Sequence, residues 1–133
     1  MANEAVIIEL PRNLHPVRRT CADGTTIEKN TILKLTDPNT VSASSASADE
    51  FGGIAAAEKV ASDGATSMAV HLSGVFGLVA TAAAITIGEQ VAIGGANTIR
   101  AATEAEVQLG QWIGYAEEAT AGSETIRVRL RGQ

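Results

Sequence analysis

Strict alternation of apolar and polar residues is the clearest pattern in the chain, and it occurs twice. Met68, Val70 and Leu72 alternate with Ala69 and His71, and Ile126, Val128 and Leu130 alternate with Arg127, Arg129 and Arg131. A period of two marks a half-buried strand, because successive Cβ atoms of an extended chain point to opposite faces. After the first run comes Ser73-Gly74, then the apolar Val75-Phe76-Gly77-Leu78-Val79-Ala80. That spacing predicts a β-hairpin over 68–80 with a two-residue turn.

Weaker segments extend the same picture. Glu4 to Leu10, Thr31 to Thr36 and Trp112 to Ala116 read as strands. Gln90-Val91-Ala92-Ile93 and Asn97-Thr98-Ile99-Arg100-Ala101 flank Gly94-Gly95-Ala96 and predict a second hairpin. Asp23-Gly24, Asp37-Pro38-Asn39-Thr40, Ser62-Asp63-Gly64, Gly88-Glu89 and Ala121-Gly122-Ser123 are turn signals. The Ser- and Ala-rich residues 41–50 have little to bury and read as a loop. Ile54 to Val60 is ambiguous, since its alanines favour helix while its length and flanking glycines favour strand. Thr103 to Leu109 suits one helical turn.

Short strands separated by Gly-rich turns predict a mainly β protein, a small antiparallel β-barrel or β-sandwich with little helix. No tandem repeat of fixed period is visible. Pro11 and Pro16 bracket an irregular stretch holding Arg12, His15, Arg18 and Arg19, so residues 1–20 read as an extended N-terminal arm. Residues 21–133 then form a single β-rich domain.

Composition refines this. Aromatics make up only 3% of the chain, so the core rests on small aliphatic residues, and stability benefits from oligomerisation. The formal net charge of −5 argues against binding nucleic acid through phosphates. The charge is uneven. Residues 49–122 carry nine acids against two bases, whereas beyond them Glu124 faces Arg127, Arg129 and Arg131. Such asymmetry reads either as solubility or as matching between subunits. The single cysteine, Cys21, excludes an internal disulfide and agrees with a reducing cytoplasm. Val6-Ile7-Ile8 is too short for a signal peptide, and no stretch is apolar enough to span a membrane.

Reactive chemistry is sparse. There is no phosphate-binding Gly-x-x-x-x-Gly-Lys loop. His15 and His71 lack metal-ligand spacing. Asp49-Glu50 and Glu117-Glu118 are adjacent in sequence, so in a strand they point apart and make poor catalytic pairs. No catalytic residue, metal or cofactor is expected. Two constellations remain. Arg127, Arg129 and Arg131 share one face of one strand, either solvated or meeting acids of a neighbouring subunit. Val6-Ile7-Ile8 serves either as an edge strand of the chain's own sheet or as a strand added to a partner's sheet.

Ile27-Glu28-Lys29-Asn30-Thr31-Ile32-Leu33-Lys34-Leu35-Thr36-Asp37-Pro38-Asn39-Thr40 resembles the early segment of the capsid cement, or decoration, proteins of tailed phages and prophages. Asn30 stands where that family often has glycine, and Asn tolerates the left-handed turn. Gly74-Val75-Phe76, Ile87-Gly88-Glu89-Gln90-Val91, Ala96-Asn97-Thr98-Ile99-Arg100, Ile113-Gly114-Tyr115-Ala116 and Ile126-Arg127-Val128-Arg129-Leu130 follow in the family's order. The likeness spans about residues 20–131.

The resemblance implies a virion structural protein, not an enzyme, that assembles as a homotrimer on the capsid exterior and touches the major capsid protein. The charge, the short apolar stretches and the lone cysteine add the expectation of no nucleic-acid or membrane partner and of synthesis in the host cytoplasm. The resemblance transfers no catalytic residues. Within that frame Val6, Ile7, Ile8, Arg12, Arg18 and Arg19 are the candidate capsid contacts. Trp112, Tyr115, Arg127, Arg129 and Arg131 are the candidate subunit interface, with core packing the competing role for both aromatics. The alternative is a virion- or tail-associated module binding carbohydrate or a host surface, which would need an exposed aromatic platform.

Overall fold

The computed structural model describes residues 3–10 and 16–131. The protein is mainly β, as the alternation predicts. Strand β1 (Val6–Glu9) comes first. Five strands follow: β2 (Val17–Thr20), β3 (Ile32–Asp37), β4 (Thr40–Ala43), β5 (Phe51–Ala55) and β6 (Ser67–His71). They close into a barrel in the order β2-β4-β3-β5-β6. Next come β7 (Val75–Ala80), β8 (Gln90–Gly95), β9 (Thr98–Ala101), helix α1 (Glu104–Gln108), β10 (Trp112–Ala116) and β11 (Thr125–Leu130). Here the order is β1-β7-β11-β10-β8-β9, and an added β7–β9 pairing closes a second barrel with β1 laid beside β7.

The two barrels share one topology. In each, the first strand runs parallel to the third, at Thr20↔Thr40 and at Val79↔Thr98, and all other pairings are antiparallel. The isolated bridges Ile27↔Lys59 and Ile85↔Thr120 occupy matching places. Backbone bonds repeat as well. Asn30 N–H donates to Ala55 O at 2.8 Å and Gly88 N–H to Ala116 O at 2.7 Å. Ala56 N–H donates to Ala69 O at 2.9 Å and Glu117 N–H to Arg127 O at 2.8 Å. The matching turn residues even share left-handed backbones: Asn39 (φ 53) with Asn97 (φ 54), and Ser62 (φ 60) with Ser123 (φ 59).

This duplication corrects three sequence expectations. No repeat was visible because the halves keep turn geometry but share only scattered identical residues, such as Asn39 with Asn97 and Ser62 with Ser123. The predicted 68–80 hairpin does not form. β6 pairs with β2 and β5, whereas β7 pairs with β1, β9 and β11, so Leu72-Ser73-Gly74 carries the chain from one barrel to the next. Alternation fixes which face a strand buries, not which strand it joins. Residues 40–43, read mostly as loop, form β4, because Val41 is an inward residue at 2% exposure within an otherwise small, polar run.

Each barrel has its own core. The first centres on Cys21, Ile27, Leu33, Val41, Ala55, Met68 and Val70. The second gathers around Phe76, Leu78, Val91, Ile93, Ile99, Ile113 and Val128. Burying a side chain such as Phe76, fully enclosed here, stabilises by about 2–3 kcal/mol. The barrels are joined. Ile32 and Ile54 are cross-strand partners in the first barrel, yet they belong to the second core. Beside them the Ile32 N–H donates to Asn97 Oδ1 at 2.9 Å, and the Asn97 N–H donates to Ser44 Oγ at 3.0 Å.

Candidate interaction surface

The expected arm contributes strands to the body of the same chain. β1 pairs with β7, at Val6↔Gly77 and Ile7↔Phe76. Residues 17–20, at the arm's far end, form β2 and pair with β6 along their whole length. Arg12 and His15 lie outside the described residues. Ile7 packs on the second core. Val6 faces outward at 57% exposure, Ile8 at 39% and Leu10 at 41%. Gly77 makes this close approach possible: a Cβ there would stand 3.3 Å from Val6 Cβ and 3.1 Å from Thr125 Cγ2.

The same sheet face carries most of the expected subunit interface. Register places Val6, Gly77 and Arg127 in one row, and Glu9, Val75, Arg129, Tyr115 and Gln90 in the next. The arginines meet acids of their own chain. Arg129 Nε donates to Glu117 Oε2 at 2.9 Å, and its Nη1 lies 3.1 Å from Glu9 Oε1. Arg127 Nε reaches the other Glu117 oxygen at 3.4 Å. The hydrogen bond to Glu117, then that to Glu9, raises the Arg129 pKa above its ordinary value. The stripe is therefore a neutralised, half-exposed network with apolar Val6 and Ile8 at its edge. Arg131 leaves the row: its guanidinium sits 5.0 Å from the Trp112 ring centroid, and Nη2 donates to Gly110 O at 3.1 Å. Trp112 is half-buried, while Tyr115 is exposed.

Arg18 and Arg19 lie on the other barrel. Arg18 Nη2 donates to Ser67 Oγ at 2.8 Å and to Ser67 O at 3.1 Å. Arg19 is half-buried, and its Nε is enclosed without a hydrogen-bond partner. The six expected capsid contacts thus divide between two barrels, with Arg12 undescribed.

Three polar clusters escaped the sequence reading. Lys59, only 2% exposed, donates to Asp63 Oδ1 at 2.8 Å, Asp23 Oδ1 at 2.9 Å, Val60 O at 2.6 Å and Asp23 O at 3.1 Å. Burial pulls its pKa down, but the bonds to Asp63 and Asp23 outweigh that and leave it raised. Arg100 grips both carboxylate oxygens of Glu106, which also accepts from the Thr103 N–H at 2.8 Å. The Arg100 bond chiefly, against burial, holds the Glu106 pKa at about 2. Thr103 and Glu106 form a capping box, a three-residue spacing legible in the sequence. Asn97, between the barrels, left no signal beyond its turn. A cleft of about 130 Å³ is lined by Arg18, Glu58, Lys59, Asp63 and Met68 among others, and His71 is not part of it. His71 packs instead 5.7 Å from the Phe76 ring, and burial, then Lys29, lowers its pKa. Among the described residues, no group of three or more His, Cys, Asp or Glu is placed to hold a metal ion.

Residues 13–131 match the phage cement protein family. The chain belongs to that family. It is accordingly a structural, virion-associated protein of a phage. No curated protein matches the chain. Among solved structures, the head fiber gp8.5 N base in bacteriophage phi29 is similar, with a TM-score of 0.53 and 13% identity over 86% of this chain and 91% of that one. At that identity the likeness is one of fold. For this cement-family chain it means that the overall fold is held at very different sequence.

Proposed function

We propose that the protein binds the outer surface of a tailed-phage-type capsid as a homotrimer and stabilises contacts between major capsid protein subunits. In this reading it is made in the host cytoplasm, and its two joined barrels, with β2 (Val17–Thr20) a strand of the first, act as one decorating domain that meets the shell through the exposed residues of β1. The observation that carries it is the β1 face. Val6, Ile8 and Leu10 stand 39–57% exposed beside arginines already paired with Glu9 and Glu117. An apolar patch rimmed by satisfied charge suits a protein contact. Three such patches in one trimer engage together at high effective concentration, so each can be weak. Tyr115, in the same rows, and Trp112 are the anchors assigned to the subunit interface.

The test is a titration of purified mature shells lacking the protein. Wild-type chain is expected to bind saturably, and Val6→Ser with Ile8→Ser to bind at least about tenfold more weakly while melting as wild type. Equal binding by the double variant removes the β1 face from the mechanism. A carbohydrate- or host-surface-binding module would need an aromatic platform. Phe76 is fully buried, and Tyr115 alone of the four aromatic residues is exposed.

A further inference from the structure

The duplication exposes a difference between the barrels at one strand edge. In the second barrel the parallel pairing of β7 with β9 covers only Val79 and Ala80. The other half of that β7 edge is covered by β1, through Gly77, Phe76 and Val75. In the first barrel the parallel pairing of β2 with β4 covers only Thr20. The remaining edge, Val17 to Arg19, has no strand beside it among the described residues. Backbone direction shows which groups are left over. The Cys21 N–H donates to Thr66 O, on the β6 side, and the Thr20 N–H to Asn39 O, on the β4 side. Alternation then aims the Arg18 N–H and C=O into the vacancy.

The side chains register the same gap. Cross-strand pairing puts Val17 opposite Val70 and Arg19 opposite Met68, both core residues, so Val17 and Arg19 take inward positions. Their counterparts in the second barrel, Phe76 and Leu78, are fully buried, Phe76 beneath its β1 partner Ile7. Val17 is 40% exposed. Arg19 holds an enclosed Nε with nothing to donate to. An inward valine in water and an unanswered guanidinium N–H both call for a neighbour that brings an apolar side chain and an acceptor.

We infer that the β2 edge receives an extended segment of the capsid shell protein, added antiparallel as β1 is added to β7, with an apolar residue over Val17 and a carboxylate at Arg19. This rests on the capsid-binding reading and specifies how that contact is made. Strand addition draws affinity from backbone bonds and selectivity from alternate side chains. Arg18 on the outer face of β2 and Arg19 on the inner face give the edge a positive charge that favours an acidic segment.

The experiment compares Arg18→Pro with Arg18→Ala in the full chain. Proline removes the one N–H aimed into the vacancy and leaves the β2–β6 ladder its own donors. Alanine controls for the side chain. On isolated mature shells, Arg18→Ala is expected to bind within about threefold of wild type and Arg18→Pro at least about tenfold more weakly, with matching thermal melts. Val17→Lys, which charges the open inward position without touching the backbone, is expected to lose binding to a similar degree and serves if the proline variant fails to fold. Wild-type affinity in a folded Arg18→Pro, or in Val17→Lys, overturns the inference and leaves capsid binding standing. Loss of self-association in the proline variant overturns the shell protein as occupant in favour of a second copy. Failure of the wild-type chain to bind any shell overturns both this inference and the capsid-binding proposal.

Discussion

Asn97 is where the two barrels can be uncoupled by a single atom. Its backbone sits in the left-handed region at φ 54, which glycine adopts freely. Asn97→Gly therefore keeps the turn, and keeps the backbone N–H that reaches Ser44, but removes Oδ1. That strands the Ile32 N–H, whose residue is fully buried at the junction of the cores. An unsatisfied buried donor costs about 1–3 kcal/mol. Glycine adds a further cost of up to about 1 kcal/mol through unfolded-state entropy. The duplicated fold supplies the control. Asn39 occupies the matching turn at φ 53 but is exposed. Asn39→Gly carries the entropy cost alone. The difference between the variants then isolates the inter-barrel bond at about 1–3 kcal/mol, or roughly 3–12 °C in Tm for a chain of this size. Urea unfolding followed by far-UV circular dichroism and by Trp112 fluorescence measures it. Equal stability of the two variants, within about 0.3 kcal/mol, would refute the idea that this bond ties the barrels. Parting of the two probes in Asn97→Gly would show the barrels beginning to unfold separately.

Other expectations follow from the polar clusters and the glycines. The Glu106 carboxyl, held at about 2, contributes stability that is fully present above its ordinary value of 4.5 and is lost as pH falls through about 2. A shift of that size is about 3 kcal/mol unscreened, and solvent at the rim reduces it to about 1–2 kcal/mol. Acid titration of Tm should show that extra loss in wild type and not in Glu106→Gln. The Lys59 pKa is raised, so its contribution is complete below its ordinary value of 10.5 and disappears as pH rises past the folded-state value. Lys59→Met should lower Tm at neutral pH, by leaving Asp23 and Asp63 facing one another, and should flatten the alkaline decline; a wild-type melting curve at both pH values would count against the cluster. Gly114→Ala places a Cβ 2.1 Å from Arg129 O in the β10–β11 ladder and should destabilise by about 3 kcal/mol or more, whereas Gly24→Ala meets nothing within 4 Å and should be near neutral in the same melts.

How much of this was legible depends on which physical rule wrote it. Ile126, Val128 and Leu130 declared β11, because inward and outward faces must alternate. The 90–101 hairpin was readable for a different reason, the glycines at its turn, and Thr31 to Thr36 as a strand-prone run closed by the Asp37-Pro38 turn signal. β2 was not, since Val17-Arg18-Arg19-Thr20 puts an arginine at an inward position and breaks the pattern. The pairing of β6 with β2, across more than forty residues, left no local trace, so Ser73-Gly74 imitated a hairpin turn. The candidate contacts were only partly legible. Val6 and Ile8 announced themselves as apolar residues on a strand, and the structure adds that they face water. The arginine row looked like an offer to a neighbouring subunit. Glu9 and Glu117, distant in sequence, accept it within the chain.

Closing a sheet into a barrel removes its edges, the usual hazard of exposed strands. With each barrel otherwise closed, the stretch of β2 that no strand pairs among the described residues is not an accident of an open sheet but a departure from a pattern the same chain completes elsewhere. The second barrel spends β1 on that position and gains a fully buried Phe76 and Leu78. The first keeps Val17 in water and an arginine in its interior, a local arrangement less stable than its counterpart. Proteins tolerate such local conflicts where function requires them. Replacing Arg19 with Leu, the residue at the matching position of β7, is therefore expected to stabilise the isolated chain while weakening its grip on the shell. A variant that gained in both measurements would show the first barrel's open edge to be merely imperfect folding.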